Sequence, residues 1–89
     1  MDRVEAIRER LTEQLSPTQL DIIDESHLHA GHAGAASGAG HFSVTITSDA
    51  FNGKSLIERH RLIYLAVDDL MKSEIHALSI KANGTDENG

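Results

Sequence analysis

A chain of 89 residues without a single cysteine has room for one small core and excludes a disulfide framework, a thiolate nucleophile and a self-sufficient cysteine metal site. Its 14 Asp and Glu against 8 Lys and Arg give a net charge of −6, which opposes non-specific attraction to nucleic acid or anionic lipid. No run approaches the roughly 20 apolar residues of a membrane helix, and the charged start Met1-Asp2-Arg3-Val4-Glu5 is unlike a signal peptide, so a cytoplasmic protein is expected.

Asp2 and Glu5 have capping-box-like spacing, and Val4, Ile7, Leu11 and Leu15 recur at helical steps, predicting an amphipathic helix of about four turns. Arg8, Glu9, Arg10 and Glu13 read as its solvated face, and Pro17 disfavours helix at Ser16. Leu20, Ile22 and Ile23 form a short strand. Residues 27–40, rich in Gly, Ala and His, read as a flexible loop, and loops of that length are usually functional or disordered. From His41 the alternation is clean, with Phe42, Val44 and Ile46 facing one way and Ser43, Thr45 and Thr47 the other. Asn52-Gly53 turns the chain, and Ser55 with Glu58 caps a helix running to about Lys72, with Leu56, Ile63, Val67 and Leu70 along one stripe and a possible separate turn near Leu56. Ile75, Leu78 and Ile80 mark a last strand, and residues 83–89 form a tail expected to be disordered.

The predicted fold is a single α/β domain over residues 1–82, in the order αββαβ, or αββααβ if the second helix is split. A helix between the second and third strands implies a parallel pair and a right-handed crossover. Both helices then cover one face of a three-stranded mixed sheet and leave the other comparatively polar.

Gly53-Lys54-Ser55 resembles a phosphate loop, but the glycine required five positions earlier is Ser48, so an ordinary turn with a helix cap is the better reading. Lys54, Arg59 and Arg61 could contact nucleic-acid phosphates or an acidic protein partner; without an aromatic stacking pair and with net acidity, the protein partner is preferred. His27, His29 and His32 offer imidazoles at short spacing, a metal signal of low specificity. His41 falls on the wet face of its strand, while His76 shares parity with Leu78 and Ile80; packing or hydrogen bonding suits both. His60 lies on the helical stripe between Arg59 and Arg61, and a ligand role and a packing role are both open to it.

Several fragments together resemble the BolA family: Phe51-x-Gly53-Lys54, Arg59-His60-Arg61-Leu62-Ile63-Tyr64, Asp24-Glu25-Ser26-His27-Leu28-His29, His41-Phe42 and Ile75-His76-Ala77-Leu78, spread from about Val4 to Ala82. The resemblance implies a class II KH-like fold. It also implies partnership with a monothiol glutaredoxin of the CGFS type, with a [2Fe-2S] cluster bridged between the two proteins and none expected in the isolated chain. Glutaredoxin cysteine and glutathione would supply thiolates, and this chain would supply His60 and a loop ligand, His29, with His32 and His27 as competitors. The implied function is non-enzymatic, in iron–sulfur maturation or iron homeostasis; a DNA-binding transcription regulator working through the Lys54–Arg61 region is the rival.

Overall fold

The computed structural model describes residues 2–26 and 40–86. Helix α1 (Arg3–Leu15) begins where the Asp2 carboxylate accepts a hydrogen bond from the Val4 N–H at 3.0 Å, occupying one of the donors that a helix start leaves unpaired. It buries Ala6, Ile7, Leu11 and Leu15. Its end is a left-handed residue, Ser16 (φ 44°, ψ 57°), whose N–H bonds the Thr12 carbonyl at 3.1 Å before Pro17.

Strand β1 (Gln19–Asp24) pairs antiparallel with β2 (Gly40–Thr47), and β2 pairs parallel with β3 (Ile75–Asn83), so the central strand is β2. The strict alternation expected of β2 is present: Phe42, Val44 and Ile46 are buried against the helices, while His41, Ser43, Thr45 and Thr47 occupy the opposite face. The sequence expectation of a three-stranded mixed sheet in an α+β fold is met.

Between β2 and the second helix a 3-10 turn, Asp49–Phe51, inserts Phe51 into the core with no exposed surface. Gly53 follows at φ 76°, a left-handed backbone that side-chain-bearing residues rarely adopt. Ser48 organises this junction. It is fully buried, its hydroxyl donates to the Leu15 carbonyl at 2.5 Å and accepts from the Ala50 N–H at 3.1 Å, and its N–H reaches the Asn83 carbonyl at 3.0 Å. One serine therefore joins the end of α1, the end of β2 and the end of β3.

Helix α2 (Leu56–Ala66) is followed by a short α3 (Asp68–Met71). The split lies at Val67 (φ −109°, ψ 19°), not near Leu56. There the Val67 N–H still reaches the Ile63 carbonyl, and the chain restarts with Asp68 and Asp69, acidic residues suited to the positive end of a new helix. Leu56 is also off the buried stripe: it is 64% exposed, whereas Ile63 and Val67 are fully buried and Leu70 nearly so.

The outer face of α1 is not merely solvated. Arg10 forks onto Asp69, with Nη2 2.8 Å from Oδ2, and Arg3 Nε donates to Glu74 Oε2 at 2.7 Å, so α1 is clamped to the α3–β3 connection. Arg10 in turn holds the Asp69 carboxyl below its usual range. The C-terminal boundary also moves. Strand β3 runs through Asn83, and beyond it the Asp86 N–H donates to Asn52 Oδ1 while Asn52 Nδ2 donates to Thr85 Oγ1, which docks residues 84–86 on the turn. The rest of the expected tail, residues 87–89, lies outside the described residues.

The capping box at α2 is complete: Ser55 Oγ accepts from the Glu58 N–H, and Glu58 Oε1 accepts from the Ser55 N–H at 2.9 Å. That backbone bond, then the Ser55 hydroxyl, depress the Glu58 carboxyl below its ordinary range. A depressed carboxyl contributes stability above its unfolded pKa and loses it as pH falls through the folded value. Thermal melts of wild type and Glu58→Gln should therefore differ at neutral pH and converge in acid; a gap unchanged down to about pH 3 would contradict this assignment. Ser55→Ala should cost about 1 kcal/mol at neutral pH.

Candidate functional site

Histidines converge where β2 and β3 begin. Gly40 pairs with Ile75 and His41 with Ala77, so His76 is the extra residue of a β-bulge. The bulge breaks the parity that the sequence assigns to His76. Instead of joining Leu78 and Ile80 it is exposed, Ile75 takes the buried place, and the His76 ring lies 5.1 Å from that of His41, tilted by 45°.

The same corner anchors both ends of the histidine-bearing segment. The Glu25 N–H bonds the His41 carbonyl at 2.8 Å, Ser26 Oγ accepts from the His41 N–H at 3.1 Å, Asp24 Oδ1 accepts from the Ser26 N–H at 2.9 Å, and the Gly40 N–H reaches the Glu74 carbonyl at 3.1 Å. A Cβ on Gly40 would stand 2.7 Å from both the Phe42 ring and Ser26 Oγ, so this closure requires glycine. His27, His29 and His32 themselves lie outside the described residues, as does the expected loop apart from Gly40. Covalent reach alone keeps His29, three residues on, within roughly 11 Å of the Ser26 Cα.

His60 is placed elsewhere. Arg59 Nη1 donates to the Ala82 carbonyl at 3.1 Å and the Tyr64 hydroxyl to that of Leu78 at 3.5 Å, so α2 runs antiparallel to β3 with His60 level with the strand's later half. Ile80, midway between those two carbonyls, is roughly 13 Å along the strand from His76. His60 is half-buried, and its Nε2 is enclosed without a hydrogen-bond partner. Thus His41 and His76 meet at the root of the histidine segment, while His60 does not join them.

The three cations of the Gly53 turn are not equivalent. Arg59 is committed internally, donating to the Lys54 carbonyl as well as to Ala82, and it ties the start of α2 to the end of β3. Lys54 and Arg61 are exposed, with Glu58 between them, Asp49 in the 3-10 turn and Asp86 on the docked segment. This corner is at the Thr47–Asn83 end of the sheet, six residues of β2, about 20 Å, from His41.

Among the described residues, a [2Fe-2S] cluster would find at most part of a ligand set. Among the described residues no three His, Asp or Glu side chains gather in a way that could hold a metal ion, and the chain has no thiolate, whereas two imidazoles on one iron are an established substitution for two cysteines. Sequence alternation put His76 on the face of Leu78 and Ile80 because alternation cannot show a bulge. The signal available was that parallel pairing of two strands, each with histidine at or near its start, brings those histidines together.

Among the described residues no helix is long and apolar enough to cross a membrane. A family model described as BolA-like protein matches residues 11–87. SufE-like protein 1, chloroplastic/mitochondrial, of Arabidopsis thaliana is 52% identical over 81 residues, 85% of this chain but 22% of that protein, and its solved BolA domain superposes with a TM-score of 0.83 over 96% of this chain and 94% of that one. Protein BOLA1, chloroplastic, of the same plant is 42% identical over 82 residues, 89% of this chain and 51% of that protein; the solved BolA1 gives a TM-score of 0.84 at 35% identity over 100% and 99%. The chain thus spans about a fifth and about half of these two relatives. The DNA-binding transcriptional regulator BolA of Escherichia coli is 38% identical over 78 residues, 83% of this chain and 71% of that protein. Family model, relatives and solved structures agree over most of its length, and the chain belongs to the BolA-like protein family.

Proposed function

We propose that this chain is a non-enzymatic partner of a monothiol CGFS glutaredoxin that co-ligates or relays a [2Fe-2S] cluster in iron–sulfur maturation or iron homeostasis. The observation that carries the reading is the His41–His76 pair at the root of the His27–His32 segment, in a chain that has imidazole and no thiolate to offer. His76 is exposed and the enclosed Nε2 of His60 faces no open surface, so the ligand set favoured here is His76 with a loop histidine, His29 ahead of His32. His60, which the family resemblance pointed to, competes for the same role.

In this reading the cluster, when bound, supplies an electron-accepting centre whose potential imidazole ligation raises. The protein's own contribution is positional. The Ser26–His41 and Gly40–Glu74 hydrogen bonds fix the root of the loop, and the bulge turns His76 outward. Adding the chain to a cluster-loaded CGFS glutaredoxin with glutathione should replace the homodimer's visible circular dichroism with a new spectrum saturating at one chain per glutaredoxin. An unchanged spectrum at excess chain would defeat the proposal.

A second reading, a DNA-binding regulator, is supported by the relative of that name in Escherichia coli and by exposed Lys54 and Arg61. The acidic neighbours Glu58, Asp49 and Asp86 and the internal commitment of Arg59 make that surface a weaker match for phosphates. Duplex titration across salt separates the two: sequence-dependent affinity that Lys54→Ala and Arg61→Ala weaken supports this reading, and sequence-blind, salt-labile association counts against it.

A further inference from the structure

Helix α2 has a second face that neither the core nor the histidine corner uses. Ile57 is 66% exposed, Leu65 74% and Tyr64 39%, with Leu56 at the margin of the same surface. Ile57, Arg61 and Leu65 follow one another at four-residue steps and Tyr64 stands beside them, so they form one stripe along the outside of the helix. Such a stripe presents on the order of 400 Å² of apolar surface, the size of the largest patch on a typical monomer, which is often functional.

The charges around it decide what would cover it. Arg61 is exposed one turn before the Tyr64–Leu65 pair, and Asp68 is exposed one turn after it. Asp68 meets Lys72 at 4.0 Å, between side chains more than two-thirds exposed, a contact of little energetic weight. Positive, apolar and negative groups thus succeed one another from α2 across the Val67 break to the first residue of α3. That order is its own complement under a two-fold axis: an antiparallel copy of α2 crossing at Tyr64 and Leu65 sets Arg61 of each chain against Asp68 of the other.

We propose that the chain self-associates weakly and reversibly through this face, as a two-fold dimer with Tyr64 and Leu65 at its centre and Ile57 towards its edge. Counting both copies and a polar rim, the contact buries on the order of 1,000 Å², the lower edge of specific interfaces, which sets it in the concentration-dependent class. Because His41 is on the sheet face that the helices do not cover, the dimer leaves the histidine corner free. This contact stands or falls independently of any cluster.

Sedimentation equilibrium of the isolated chain from about 5 to 500 μM, at about 150 mM salt, tests it directly. The average mass of wild type should climb from the 9.7 kDa monomer towards twice that value. Leu65→Lys, at a position too exposed to affect folding, should hold the mass at the monomer value with unchanged far-ultraviolet circular dichroism. Arg61→Asp should weaken the dimer about tenfold, and Arg61→Asp combined with Asp68→Arg should restore it, as expected of a charge pair across an interface. A wild-type chain that stays at 9.7 kDa throughout overturns the proposal. So does a dimer that Leu65→Lys leaves intact, which would put the contact elsewhere. So, too, does a monomer whose α2 amides gain exchange protection only when glutaredoxin is added, which would assign the face to that partner.

Discussion

In a mixed [2Fe-2S] complex with a CGFS glutaredoxin, His76→Ala should abolish the heterodimer's distinctive visible circular dichroism and shorten the lifetime of the shared cluster on the order of 10–100-fold. The size of the effect follows from ligation: an exposed imidazole removed from an iron is replaced by water or by a weaker ligand. The fold should hardly notice, because a side chain in solvent on a bulge makes few packing contacts, and surface substitutions usually stay within about 0.5 kcal/mol. His60→Ala should do the reverse. Its half-buried ring is removed from beside the core, so stability falls by about 1 kcal/mol while the spectrum persists. The crossed pattern separates a ligand from a packing residue, and if His60→Ala alone erases the spectrum, His60 regains the role that the family resemblance gave it.

Phe51→Ala should lower the unfolding free energy by about 3–5 kcal/mol, a large fraction of what so small a domain possesses. Phe51 is fully buried, yet it belongs to a three-residue 3-10 turn with no helix or strand of its own to hold it. The turn is secured by the Ser48 hydroxyl, which also bonds the last carbonyl of α1, and by the Phe51 carbonyl, which accepts from the Lys54 N–H at 3.1 Å. Emptying the Phe51 site therefore removes apolar contacts and loosens the junction that sets α2 against the sheet. Urea unfolding should show the midpoint falling with the slope unchanged; a loss below about 1 kcal/mol would mean that the turn collapses into the space.

Much of this architecture was legible in the sequence because its signals are local. The Phe42–Thr47 alternation, the Ser55–Glu58 capping box and the Asn52-Gly53 turn each depend on neighbours within a few residues, and all three appear in the structure as read. What escaped depends on partners far along the chain. The His76 bulge exists because β3 must register with β2, Arg10 left its solvated face for Asp69, 59 residues away, and Ser48, which in the sequence only fills the place of a phosphate-loop glycine, becomes a junction once the ends of α1 and β3 are brought to it. The break at Val67 carries no glycine or proline to announce it.

The candidate site divided along the same line. Phe51-x-Gly53-Lys54 and Arg59–Tyr64 are neighbouring fragments of the family resemblance, yet folding makes the span three things: a buried anchor in Phe51, a structural tie in Arg59, and an exposed apolar and cationic face in Ile57, Arg61 and Tyr64. The histidines that meet at the loop root come from two strands that are neighbours only through a parallel pairing across a helix. No spacing rule within one segment could reveal them.

The measurement closest to the central claim is pulsed electron paramagnetic resonance of the reduced, mixed complex, prepared with ¹⁵N-histidine in this chain alone. Ligation by this protein predicts a strongly coupled ¹⁵N signal that His76→Ala removes and His60→Ala preserves. A complex that forms and carries its cluster without any ¹⁵N coupling would show that the thiolates of the glutaredoxin side suffice, and that this chain docks without holding iron.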